Sequence, residues 1–509
     1  MKRLLLSCLA ASLLVACKKK DVADTGPAPE PVIMEDASSF TTVATLNIAG
    51  TGAAEITAYC ERTKRLFVVN NATTLNRVEV VDIANPAAPV VIGHISLGAY
   101  NGAANSVAVH DGRLAVALES GVKTNPGRVL LFRTDDYSLL KNIPVGALPD
   151  MITFSPDGRY LLTANEAEPN ADYSIDPAGG VSIIDLQNGD AVTTLDFGSF
   201  GGQLAALRAG GFRTFGPSAG DLAKDAEPEY ITVSPDSRSA WVTLQENNAI
   251  ARIDLSAKTV TALWPLGFKD YSNTANATDL SDQDGGITFA AAPVKGVYMP
   301  DAIAVLERNG IPYLFTANEG DAREYTGYTE GRRLGANAHV LDATAFPNAA
   351  ALKANSSLGR LNVTSSLGDT DGDGDFDALY SFGARSFSVW NGATGSQVFD
   401  SRNDLDVRAR AAAMYDDARS DDKSVEPEGV TVGRVGTRDI LFVGLERADA
   451  VALYDVTDPA APVFVKILAA GDGPEGVLYV PARKSPNGKS LLIVSSENDG
   501  NLKIYMPER

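Results

Sequence analysis

Two segments far apart in this chain nearly coincide: VEVVDIANPAAPVVIGHISL at 78–97 and VALYDVTDPAAPVFVKILAA at 451–470. Each reads as a β-branched apolar run, an Asn/Asp-Pro turn and a second β-rich run, the pattern of a hairpin. A recurring hairpin constrains the fold more than any local motif does. It is a module that cannot bury its apolar face alone and must stack on copies of itself. Weaker copies follow one grammar. A carboxylate opens a short apolar strand, a turn such as SPDG follows, and a second apolar strand ends in an acidic or amide residue. Seven such units lie at 54–71, 105–120, 149–166, 228–246, 300–319, 427–446 and 474–497. Period-two alternation and β-branched residues mark their runs as strands.

Seven units predict an all-β chain folded as a seven-bladed β-propeller, with four-stranded blades around a channel. FTTVATLNI at 40–48 is expected to close the last blade, so that no open edge remains at the seam. A tandem of β-sandwiches is the alternative. Two long insertions interrupt the spacing, at about 187–226 and about 320–378, and GGQLAALRAGG in the first reads as a short helix. The propeller is expected to span 40–509.

Within a blade, the start of the first strand and the end of the second lie at the same end. The grammar therefore gathers its polar ends at one mouth of the channel. The openers are Glu55, Asp150, Glu229, Asp301, Glu428 and Glu475, with Asn105 in the second unit. The closers are Glu119, Glu166, Glu246, Glu319, Glu446 and Glu497, with Asn71 in the first unit and Asp321 just beyond Glu319. Carboxylates this crowded either take up protons or hold cations. Their repetition also fits caps and turns that bond backbone amides. Arg323, Arg385 and Arg447 lie near the same segments and are the candidates to offset the charge or face an anion.

The second insertion contains LGDTDGDGDFDALY. Asp369, Asp371 and Asp373 stand at positions 1, 3 and 5 of a D-x-D-x-D-G loop, Gly374 at 6, Asp375 at 7 and Asp377 at 9, a spacing that lets oxygens converge on a hard cation. Position 12 is Tyr380 where an EF-hand needs a bidentate Glu, and no flanking helices are evident. The expectation is an isolated Ca²⁺ loop with a ligand from elsewhere in the chain, against a solvated acidic turn.

Other readings are narrowed by composition. The net charge of -20 argues against binding a nucleic-acid backbone. Three cysteines and three scattered histidines make neither a disulfide framework nor a zinc site. GPSAG at 216–220 matches G-x-S-x-G around Ser218, but it lacks the strand-to-helix context of a nucleophile elbow. The N-terminus MKRLLLSCLAASLLVACKKK has a basic start, an apolar run and small residues before Cys17, like the lipobox of bacterial lipoproteins. Residues 1–16 are expected to be a signal peptide, Cys17 the lipidated residue and 17–39 a flexible tether. Lys18 after the cysteine favours the outer membrane. Cys60 is expected to be a buried apolar residue.

Several long motifs in order carry a family resemblance: EPEYITVSPD, TANEGDARE, LGDTDGDGDFDALYSFGARSFSVW, EPEGVTVG, FVGLER and PEGVLYVPARKSPNGKSLLIVSSE. Over roughly 40–509 the chain resembles the bacterial choice-of-anchor I family, itself similar to the mesenchyme-specific cell-surface glycoproteins of biomineralising animals. The resemblance implies a WD40/YVTN-like propeller displayed on the surface through a variable anchor, here the lipobox. It brings alkaline-phosphatase labels from some relatives but no assigned residue roles. Two functions are expected. The first is a lipid-anchored, Ca²⁺-binding module, monomeric, that binds a protein, polymer, mineral or phosphate ligand and meets the membrane only through its anchor. The alternative is a calcium-dependent phosphoesterase, with Ca²⁺ polarising a phosphoryl oxygen.

Overall fold

The computed structural model describes residues 34–72 and 75–508. The expected signal peptide, Cys17 and most of the tether lie outside the described residues. Among the last residues of that tether, Glu35 and Ala37 are packed against the propeller while Met34 is exposed. Glu35 accepts hydrogen bonds from the amide and hydroxyl of Ser490 at 2.7 and 2.6 Å, and Ala37 joins the core between the sixth and seventh sheets.

Among the described residues, seven four-stranded antiparallel sheets account for most of the chain. Their first strands are Ala53–Cys60, Ala104–His110, Pro149–Phe154, Pro228–Val233, Ile303–Arg308, Pro427–Val435 and Pro474–Val480. Each packs beside the next, and the seventh returns to the first, closing a ring around a channel. Every unit read from the sequence supplies the first two strands of one sheet. The two near-identical hairpins are the third and fourth strands of the first and sixth sheets, with Asp82 opposite Val90 and Asp455 opposite Val463.

The seam closes as expected. Phe40–Asn47 pairs antiparallel with Asn501–Pro507, so the last sheet takes its outermost strand from the N-terminal end. The core is divided into layers between neighbouring sheets. Phe67, Val80, Leu114 and Val116 meet between the first and second sheets, and Val443, Leu453, Leu492 and Val494 belong to the layers flanking the sixth. Each buried Leu, Val or Phe in such a layer stabilises the fold by roughly 1.5–3 kcal/mol. The middle strands are covered on both faces, which is why Leu491–Ser496 and Tyr160–Asn165 are buried at every position and show no alternation. Period two survives only toward the channel and the rim.

The insertions differ in extent from the sequence reading. The first begins later than 187, because Ala191–Leu195 is the outer strand of the third sheet. Its helix is Leu204–Ala209. The second runs between the second and third strands of the fifth sheet, and it joins a segment the sequence reading did not single out. Phe268–Asp270 and Lys295–Val297, from the link between the fourth and fifth sheets, combine with Gly331–Arg333, Asn362–Thr364 and Tyr380–Ser381 into an extra five-stranded sheet. The insertion leaves and returns through Gly320 and Gly383 (φ +91° and +71°). A Cβ on Gly320 would meet the Gly383 amide at 2.2 Å. This close approach, which only glycine permits, fixes Glu319 at the mouth.

Candidate metal and ligand site at the channel mouth

The opening residue of each unit faces the channel for a local reason. In six of the seven first strands the pairing register shifts at this point, and Glu55, Asn105, Asp150, Glu229, Glu428 and Glu475 fall among the skipped residues. A bulge leaves one or more residues unpaired and re-aims their side chains. Pro149, Pro228, Pro300, Pro427 and Pro474 stand just before the carboxylate. At the start of a strand proline costs no ladder bond. The fifth unit reaches the same result with Asp301 just ahead of its strand.

The mouth is a cavity of about 290 Å³ lined by Glu55, Asn105, Asp150, Glu229, Asp301, Glu428 and Glu475, one group from each sheet, together with Glu319, Asp321 and Gln245. The carboxylates are too close to ionise independently. Burial, then repulsion from Asp150 and Glu497, raises Glu55 to about 8. Burial raises Asp150 to about 6. It pushes Glu229, Asp301, Glu428 and Glu475 well above the usual carboxylate range, with neighbouring carboxylates adding to each.

The closers share this end, as expected, because the amides of Glu119, Glu166, Glu446 and Glu497 bond the carbonyl just ahead of their own first strand. They form a second tier. Glu166, Glu246, Glu446 and Glu497 do not line the cavity. They act on it through their charge: Glu497 raises Glu55 and Glu475, Glu446 raises Glu428, and Glu246 raises Glu229. Glu446 itself is raised to about 7 by burial and then by Glu426.

Asp301, Glu319 and Glu428 each present an oxygen within 4.8 Å of the others, as do Glu319, Glu426 and Glu446. Among the described residues, Glu319 is the one cavity carboxylate in an ion pair, with Lys423 at 2.6 Å. Glu319 also accepts from the Gln245 amide at 2.9 Å. Lys423, Gln245 and Glu426 were missed in the sequence. The signal was the repeated Glu-Pro-Glu at 227–229 and 426–428, in which the first Glu binds cationic side chains and the second faces the channel.

The three arginines do not face an anion in the channel. Arg323 is buried and pairs with Asp225 and Glu227, each at 2.8 Å. Arg385 is buried and donates to the carbonyls of Asp279, Ser420 and Asp422. Arg447 is the most open, 37% exposed, and pairs with Glu426 and Glu446 at 2.9 Å. A guanidinium near a carboxylate in sequence finds that carboxylate, or backbone carbonyls, before it finds a ligand. Ser218 lies in a turn and donates to Asp176. Cys60 is buried, its thiol against the Thr134 hydroxyl.

The aspartate loop lies in the extra structure, and none of its residues lines the mouth. Asp369, Asp371 and Asp377 bring oxygens within 4.8 Å of one another, and so do Asp342, Asp375 and Asp377. Asp342, from outside the loop, is delivered where Leu341 bridges Phe376. Asp373 belongs to neither group, and its carboxylate accepts the Asp375 amide. Asp369 bonds the amides of Gly372 and Gly374.

The family model of the choice-of-anchor I domain matches residues 55–459. Gigasin-3a of Magallana gigas is 28% identical over 184 residues, which is 29% of this chain and 64% of that protein. The chain thus spans less than two thirds of this curated relative. Similar solved structures include Kuenenia stuttgartiensis hydrazine synthase (14% identity, TM-score 0.47, 90% of this chain and 96% of that one). Another is the Myceliophteria thermophila Cps50 (Swd1) β-propeller domain (7% identity, TM-score 0.44, 92% and 99%).

Proposed function

Because the chain belongs to the choice-of-anchor I family, we propose that it is a surface-displayed binding module that takes up Ca²⁺ at the channel mouth and presents it to an anionic partner. A choice-of-anchor domain marks a cell-surface or exported protein. No described helix is long and apolar enough to cross a membrane. Attachment through a lipid on Cys17 and placement in the outer membrane belong to this proposal.

The observation that carries the reading is the ring itself. Six carboxylates and one amide, one per sheet, converge on one cavity, and among the described residues the only ion-paired carboxylate there is Glu319 beside them. A hard divalent ion matches that oxygen donor set and relieves its repulsion. Once coordinated, the ion offers its remaining positions to a partner's oxygens, those of a carboxylated or phosphorylated polymer or a mineral face. The Asp369–Asp377 loop with Asp342 is a second, structural Ca²⁺ position that folds its insertion. Of the arginines that the phosphoesterase alternative would use beside Ca²⁺ to hold an anion, Arg323 and Arg385 are spent inside the protein.

Metal analysis of purified protein, calcium titration calorimetry and pull-down on carboxylated and phosphorylated polymers and calcium mineral test this. The expected result is bound calcium, partner capture lost in EDTA, and weakened binding in Asp301→Asn and Glu428→Gln. Protein that binds no calcium, or captures partners equally with and without it, overturns the proposal.

A further inference from the structure

The two carboxylate triads at the mouth share Glu319 but differ in what they hold. In the triad Glu319, Glu426 and Glu446, a cation is already present, the ammonium of Lys423. It sits 2.6 Å from Glu319 Oε1 and 2.8 Å from Glu426 Oε1, on a side chain only 14% exposed. In the triad Asp301, Glu319 and Glu428, no side-chain cation is paired with Asp301 or Glu428 among the described residues. There, Oε2 of Glu428 is buried without a hydrogen-bond partner. A filled cation position thus adjoins one built from the same residue types, with an unmatched acceptor.

We infer that Lys423 is a tethered counter-cation that competes with a divalent ion for Glu319, and so sets how tightly the mouth holds that ion. This rests on the calcium reading of the mouth given above. An ion coordinated by Asp301, Glu319 and Glu428 must share Glu319 with its two present donors. The Gln245 amide is neutral and can turn away, whereas the ammonium carries the same sign as the ion and opposes it directly. Release of Lys423 leaves no buried carboxylate bare. Glu426, whose side chain is 0% exposed, keeps Lys423 at 2.8 Å and is held by Arg419 and Arg447 at 2.9 Å each. Glu319 passes from the ammonium to the metal. The lysine therefore acts as a resident competitor that holds the mouth together when the ion is away and weakens its capture when the ion arrives.

Calcium titration calorimetry on the purified protein, with Lys423→Met, Lys423→Arg and Glu428→Gln alone and combined with Lys423→Met, tests the inference. Lys423→Met is expected to tighten the mouth component at least tenfold, Lys423→Arg to keep the wild-type affinity, and Glu428→Gln to remove the tightened component. Thermal melts add a readout: Lys423→Met melts lower than wild type in EDTA and recovers in saturating calcium. Lys423→Gln replaces Lys423→Met should the latter fail to fold. If neutral variants bind equally or more weakly while Glu428→Gln still weakens wild-type binding, the competition is overturned and the calcium reading stands. If neutral variants fold neither with nor without calcium, Lys423 is structural and the inference falls. If no variant shows calcium binding that depends on Glu428, both fall.

Discussion

Glu55 shows how a single residue in the ring couples the protein to pH. Held at about 8, it keeps a proton in the folded state that the unfolded chain releases near the ordinary carboxylate value. The folded form therefore binds more protons across that window, and stability falls as pH rises through it. In EDTA, the unfolding midpoint is expected to drop from about pH 5 to about pH 8, and calcium or Glu55→Gln should flatten the slope. A midpoint that rises over this range contradicts the assignment. Arg323 carries the opposite lesson. Arg323→Met strands Asp225 and Glu227 as buried, unpaired carboxylates and should cost about 3–5 kcal/mol in denaturant unfolding. Arg447→Met, half open to solvent, should cost about 1 kcal/mol or less. Comparable small losses in both would show that Arg323 is not the neutraliser the geometry makes it. The sequence offered all three arginines as equals, because proximity in sequence does not say which carboxylate a flexible side chain reaches first.

At the scale of elements, the strand starts were legible and the insertions only partly so. The units starting at Asp150, Glu229, Glu428 and Glu475 announced themselves by the Pro-carboxylate pair. The bulge that aims the carboxylate inward is a property of pairing and has no signature in one strand alone. The extra sheet was illegible for a similar reason: Lys295 pairs in parallel with Tyr380, across most of the fifth sheet's sequence. The D-x-D-x-D-G spacing of the aspartate loop is local and legible, whereas the approach of Asp342 to Asp375 and Asp377 is not. In this insertion, EDTA is expected to speed protease nicking within 320–380 before the propeller unfolds, and Asp377→Asn should reproduce the effect without EDTA. Mass spectrometry of the first fragments checks this, and nicking indifferent to EDTA sinks the structural calcium position.

For the molecule as a whole, closure of the ring is the decisive step. Deleting Phe40–Asn47 removes the outer strand of the seventh sheet and exposes the edge of Asn501–Pro507. The truncated chain is expected to melt lower and to associate through that edge, seen by size-exclusion chromatography with light scattering. A monomer with unchanged melting would mean the seam contributes little. The sequence alone determined the repeat: seven copies of one two-strand grammar require stacking, because a single unit cannot cover its apolar faces. It also determined that carboxylates recur at one end of every unit, since strand polarity fixes which ends coincide. Only the tertiary structure decided which carboxylates meet. Convergence of Glu55, Asp150, Glu229, Asp301, Glu428 and Glu475 on one cavity depends on ring closure and, for all but Asp301, on the bulges that turn them inward. The capture of Glu319 by Lys423 depends on a contact between two sheets and an insertion, distances that no local pattern encodes.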